Sequence, residues 1–272
     1  MVEFLRPPSE INHSQLRQTH DACTQHSTQI SPISVHSSVE SAESFFLFSS
    51  FSYSLTMTDA PFWKGRWQRG EIGWHQTEVE PRLVENWSGM PPTRVFVPLC
   101  GKSLDLEWLH QQGHEVIGIE LSEIACRAFF EERGFQPRVT TEGVFQVYRA
   151  ERYTLFQGDF FELTPEKLGP IGAVYDRASL IALPRAIRKQ YAEKMIALLQ
   201  HNAASKPQVL QITLERIPHD EQGPPHSVRP QEVEELYGSM LNITRLSEET
   251  LPEKSPSGAG LKEWVFKLDT KP

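Results

Sequence analysis

Cysteine is scarce in this 272-residue chain: there are three, an odd number, with no C-x-x-C pair. Cys23, Cys100 and Cys126 therefore offer neither a disulfide framework nor a cysteine-type zinc site. Basic residues are outnumbered, 27 Lys and Arg against 35 Asp and Glu, for a formal charge of −8. A general nucleic-acid binder needs a basic surface to displace counterions, so that partner is not expected. No run of about 18 apolar residues occurs, so no membrane span is expected either. The folded part reads as a cytoplasmic protein acting on small molecules, and with no extended apolar heptads a monomer is the default.

Further absences are local. Residues 1–56 contain no Gly, no Lys and no Trp, whereas the whole chain has 16 Gly and 6 Trp. The same stretch holds 13 Ser, 2 Arg and 5 acids. A signal peptide needs a basic start before its apolar stretch, but here Glu40 and Glu43 precede the apolar residues 45–55. A transit peptide needs Arg without acids, and acids predominate. What remains is a disordered, Ser-rich N-terminal extension, or a start assigned too far upstream of Met57. Residues 57–272 carry 25 basic and 30 acidic groups, a net of −5, and are expected to form one folded domain.

That second block opens with aromatics. Trp63 and Trp67 are four apart, which suits a short helix with an aromatic face. Trp74 follows in Gly73-Trp74-His75-Gln76, a turn or loop. Core packing accounts for most of these rings, and one or two could cover a ligand. Thr93–Pro98 reads as a buried strand and Leu99–Ser103 as a loop, with Ser103 capping a helix that Gly113 closes. His114–Glu120 is the next strand, and Ser122 caps the next helix. His110 and His114 have helical metal-ligand spacing, but Gly113 lies between them, so surface positions are expected and no metal site. Strands follow near 144–148, 153–156, 172–176, 209–214, 243–246 and 264–268, with helices near 184–200 and 230–240. Strands alternating with helices imply a doubly wound α/β domain.

In such a sheet ligands bind at the carboxyl ends of the strands. The residues placed there are Leu99–Ser103, Glu120, Asp159 and Asp176-Arg177. Glu120 lies 22 residues after Pro98, a spacing at which an acid can accept the ribose hydroxyls of an adenosine cofactor; it could equally be a solvated strand-end Glu. The loop offers one Gly where a dinucleotide fingerprint wants three, which disfavours NAD or FAD. S-adenosylmethionine has no pyrophosphate and tolerates a less Gly-rich turn. A phosphate-binding loop ending in Gly101-Lys102-Ser103 would need Gly where Phe96 stands.

The segments Trp63–Trp67, Gly73–Gln76, Val97–Ser103, Gly118–Ser122, Gly158–Phe161, Tyr175–Arg177 and Gly223–Pro225 together resemble the thiopurine S-methyltransferase family of bacterial type. The resemblance spans about residues 62–268. It implies a seven-stranded, mostly parallel Rossmann-like methyltransferase sheet with its last strand antiparallel, and S-adenosyl-L-methionine as cofactor. It implies that Trp67, Leu99, Glu120 and Arg177 hold the cofactor, that Asp159 and Phe160 lie beside the adenine, and that Trp74 meets the substrate. Gly223–His226 would lie near the substrate mouth, and residues 255–260 are too divergent to carry a role across.

Methyl transfer from a sulfonium needs a nucleophile held in line more than it needs a strong base. A thiol reacts as its anion, and thiopurine-like thiols ionise near neutral pH. Arg177 is therefore expected to act electrostatically as the catalytic residue, or to form a structural ion pair with Asp176 or Glu120. The implied activity is methylation of an aromatic or heterocyclic thiol, extending in this family to selenium and tellurium species. The competing functions are methylation of another small nucleophile and a non-catalytic S-adenosylmethionine-binding module.

Overall fold

The computed structural model describes residues 60–271 apart from 88, 203–205, 221, 255–257 and 259. The expectations for residues 1–56 therefore lie outside the described residues.

Helix α1 (Ala60–Arg69) and the Pro-initiated α2 (Pro81–Asn86) precede the first strand. The chain then alternates: β1 (Arg94–Val97), α3 (Leu104–Gln111), β2 (Glu115–Glu120), α4 (Glu123–Glu131). Ser103 and Ser122 accept the backbone N–H of Asp105 and Ala125, so both expected caps form. After α4 come β3 (Arg138–Glu142), β4 (Phe145–Ala150) and β5 (Tyr153–Gln157), then α5 (Pro165–Leu168), β6 (Ala173–Arg177), α6 (Ser179–Ala182) and α7 (Arg185–His201). Strand β7 (Gln208–Ile217), α8 (Pro230–Tyr237), β8 (Leu241–Lys254) and β9 (Gly260–Thr270) finish the fold.

The sheet order is β3-β4-β5-β2-β1-β6-β7-β9-β8. Nine strands replace the seven expected. The additional pair is β3 and β4, an antiparallel extension on β5, which itself runs parallel to β2. Strand β3 escaped the sequence reading because its side chains are mostly exposed and give no apolar alternation. The remaining seven keep the expected arrangement, with the last strand β9 antiparallel to β7. The two late strands are also far longer than the short apolar cores that signalled them, because their outer halves are polar.

Alternation along β1 divides the core. Phe96 faces a cluster with Tyr191, Met195 and Val233 from α7 and α8. Val95 and Val97 face the opposite cluster with Leu83, Leu106 and Phe129 from α2, α3 and α4. Helices thus cover both faces, the condition for a mainly parallel sheet. No helix among the described residues is long and apolar enough to cross a membrane.

Candidate active site

The carboxyl ends of β5, β2, β1 and β6 lie side by side, and the chain reverses its direction of winding between β1 and β6. Leu99 follows β1 with φ 46° and Ala178 follows β6 with φ 65°. A left-handed conformation costs a side-chain-bearing residue roughly 1–2 kcal/mol. Two such residues flanking one crevice mark a place where backbone shape is imposed by the surroundings.

Glu120, at the end of β2, is 8% exposed. One carboxylate oxygen accepts the Gly101 N–H at 2.9 Å and the other the Ser122 N–H at 2.7 Å. Burial pushes its pKa up, and the N–H groups of Ser122, Gly101 and Leu121 oppose that rise. The acid thus fastens the loop after β1 to the loop after β2. Cys100, inside the first loop, is buried, and burial followed by the charge of Glu120 raises its thiol well above the ordinary value. It therefore stays protonated and is no nucleophile.

Trp67 closes over this loop. A Cβ placed on Gly101 would come within 3.6 Å of the Trp67 ring. Trp74 meets Trp67 and Trp63 edge-on, at centroid distances of 5.8 and 5.1 Å, and the Arg66 guanidinium lies 5.0 Å from the Trp74 centroid. Aromatic pairs at such angles gain about 0.5–1.5 kcal/mol beyond burial, which helps fix the orientation of the Trp74 ring. The half-buried Trp74 is therefore held by its own neighbours.

At the end of β6, Arg177 pairs through Nε with Glu80 at 3.0 Å, and its Nη1 lies 3.8 Å from Asp105. The expected structural partners, Asp176 and Glu120, are not the ones observed. Asp176 points to the other face of the sheet, as adjacent strand residues must. There it accepts the hydroxyl of Tyr191 at 2.9 Å and the amide of Gln211 at 3.2 Å. Burial pushes its pKa to about 6 despite these bonds. Glu80 and Asp105 were missed in the sequence. Their signals were an acid immediately before the first proline of α2, and an acid in the first turn of α3.

Asp159 caps a short 3-10 turn by accepting the Phe161 N–H at 2.9 Å, at the carboxyl end of β5. The Phe160 ring is core, 3% exposed and 4.7 Å from the Tyr191 ring. The His226 N–H donates to Ile181 O at 2.6 Å, which brings Gly223–His226 against α6 just after Arg177. His114 is fully buried and accepts the indole N–H of Trp87 at 3.0 Å, contrary to its expected surface position.

The arrangement suits an adenosine-bearing cofactor. A buried carboxylate stands at the end of β2, ready for hydroxyl donors, beside a loop in left-handed conformation and an indole ring packed over its glycine. The comparisons agree. The family model for thiopurine S-methyltransferase matches residues 58–268. A thiopurine S-methyltransferase of Pseudomonas syringae pv. tomato is 41% identical over 213 residues, covering 77% of this chain and 94% of the relative. One from Pseudomonas fluorescens is 45% identical over 180 residues, 65% and 81% of the two chains. Among solved structures, a Burkholderia thailandensis 1,6-didemethyltoxoflavin N1-methyltransferase, with bound S-adenosylhomocysteine, matches with TM-score 0.54 at 16% identity, over 78% of this chain and 87% of that one. A methyltransferase of Anabaena variabilis gives TM-score 0.53 at 16% identity, over 78% and 95%. These two show the fold. The chain belongs to the thiopurine S-methyltransferase family of S-adenosylmethionine-dependent methyltransferases.

Proposed function

We propose that this enzyme methylates the sulfur of an aromatic or heterocyclic thiol, with small selenium or tellurium species as further acceptors. The observation that carries the reading is the meeting of Glu120, the Leu99–Gly101 loop, the Trp67–Trp74 pair and Arg177 at the carboxyl ends of β2, β1 and β6. Residues 57–272 form the methyltransferase domain in this reading.

Each residue has a distinct task. Glu120 accepts the ribose hydroxyls, exchanging burial cost for charge-assisted hydrogen bonds. Trp67 and Leu99 wall the methionine side of the cofactor. Asp159 and the main chain of Phe160 border the adenine. Trp74 offers an aromatic edge against which a planar heterocycle packs. Arg177 places positive charge beside the reacting sulfur and the cofactor. S-adenosylmethionine, when bound, supplies a methyl group already activated on a sulfonium. The protein therefore mainly has to align the thiolate and exclude water, and alignment alone lowers a barrier by up to about 7–11 kcal/mol. An acidic heterocyclic thiol arrives already ionised near neutral pH, so the chain needs no dedicated base.

A panel of heterocyclic thiols, aliphatic thiols, selenite and tellurite incubated with isotope-labelled cofactor tests the reading. Label is expected on the sulfur of 6-mercaptopurine ahead of aliphatic thiols. No label on any sulfur, selenium or tellurium acceptor, with iodide or an added nitrogen heterocycle labelled instead, contradicts it.

A further inference from the structure

The partners of Arg177 converge on one residue. Glu80 gives Oε2 to the Arg177 Nε at 3.0 Å, and the same oxygen accepts the Gln76 amide at 3.3 Å. Its Oε1 accepts the Arg82 N–H at 3.2 Å, capping α2. Its own backbone N–H donates to Asp105 Oδ1 at 2.8 Å. The other oxygen of Asp105 accepts the Tyr175 hydroxyl at 2.9 Å. Tyr175 and Arg177 are two apart on β6 and so share a face. Glu80 thus joins the segment carrying Trp74 to α3, which starts directly behind the Leu99–Gly101 loop, and to the strand that ends in Arg177. Its side chain is 4% exposed, so this joint is shielded from water and from salt.

The guanidinium is held asymmetrically. Glu80 is ion-paired with the Nε edge at 3.0 Å, whereas the Nη1 group lies 3.8 Å from Asp105. A long, rotamer-rich side chain is thereby fixed at one end while its outer donors remain for a ligand. Orientation of this kind removes an entropic cost from binding, because the arginine is ordered before the ligand arrives.

We propose that Glu80 is the positioning residue of Arg177, setting the guanidinium so that its outer donors face the substrate. This rests on the reading of Arg177 given above. Glu80 acts through Arg177, so its effect vanishes once Arg177 is gone. A contact that only holds the fold together has no such dependence in ligand affinity.

A double-mutant cycle on the full chain tests this, with calorimetric binding of 6-mercaptopurine in the presence of S-adenosylhomocysteine as readout. Glu80→Gln keeps the volume and the cap on α2 but loses the charge. It is expected to raise the Kd about ten-fold, the usual scale for a hydrogen-bonded charge. Arg177→Met is expected to raise it at least as far. In the double variant the Kd should match that of Arg177→Met alone. Glu80→Asp retains the charge but lacks the reach, and is expected to show the same coupling; it decides the matter if the Gln variant does not fold. An unchanged Kd in Glu80→Gln, or an equal loss in both backgrounds, overturns the positioning role alone. Failure of the unmodified chain to bind either ligand overturns the reading of the site, and this proposal with it.

Discussion

Glu120 and Glu263 are both acids pressed into the protein, yet their surroundings differ. Glu120 has backbone N–H groups on both oxygens, and a ligand can add hydroxyl donors. Glu120→Ala should raise the Kd of S-adenosylhomocysteine at least about ten-fold by calorimetry, since a charged acceptor is lost. Glu120→Gln, which keeps one acceptor oxygen, should fall between. An unchanged Kd removes the ribose role. Among the described residues Glu263 has no such donors. It faces Glu80, Arg177, Arg82 and Glu85, pairs with Arg82 at 3.4 Å and lies across from Glu249 on β8. Burial, followed by the charge of Glu80, pushes its pKa from 4.5 to about 7. The folded state therefore holds this proton more tightly than the unfolded chain does. The stabilisation is complete below about pH 4.5 and is lost as pH rises through about 7, an effect on the order of 3 kcal/mol. Urea unfolding across pH should show that decline, and Glu263→Gln should flatten its upper part. A variant with the wild-type slope contradicts the assignment.

At the scale of elements, the β1–α3 and β2–α4 units were legible because each carries several agreeing signals. An apolar strand runs into a serine cap, an apolar helical stripe follows, and a glycine ends it. Ser122→Ala should cost about 1 kcal/mol, lowering the melting temperature by roughly 2–4 °C. The crevice loop was legible in position but not in construction. Gly118 on β2 leaves the space that Cys100 fills: an added Cβ would meet the Cys100 Sγ and a Leu155 methyl, each at 2.6 Å. Gly118→Ala should therefore destabilise by about 1–3 kcal/mol and displace Gly101, weakening cofactor binding as well. Pairing it with Cys100→Ala should restore part of both losses. Equal losses with and without the second change contradict this account. Such a contact joins residues eighteen positions apart, so local periodicity cannot reveal it. The partners of Arg177 were hidden for the same reason. Glu80 and Asp105 reach it from α2 and α3, whereas the near neighbour Asp176 is turned away by strand alternation. Strand β3 was invisible because its exposed polar side chains differ little from those of a loop.

For the molecule as a whole, composition marked a change of character near Met57, and the family model matches from residue 58. A chain begun at Met57 is expected to melt within about 2 °C of the full chain, less than a 1 kcal/mol change would produce, and to bind S-adenosylhomocysteine with the same Kd. A large loss in either would assign residues 1–56 a part in the fold. The doubly wound class followed from alternation of strand and helix, and the antiparallel last strand was implied by the family resemblance; the length of β8 and β9 followed from neither, because their outer halves lack apolar periodicity. The proposed reaction is methyl transfer to sulfur in a crevice built from the ends of β2, β1 and β6. Mass spectrometry of 6-mercaptopurine, incubated with the enzyme and a methyl-labelled S-adenosylmethionine, tests it most directly. Labelled S-methyl product is expected with the wild type, and a strong loss with Glu120→Ala at limiting cofactor. Cofactor bound by the wild type with no label on sulfur would contradict it.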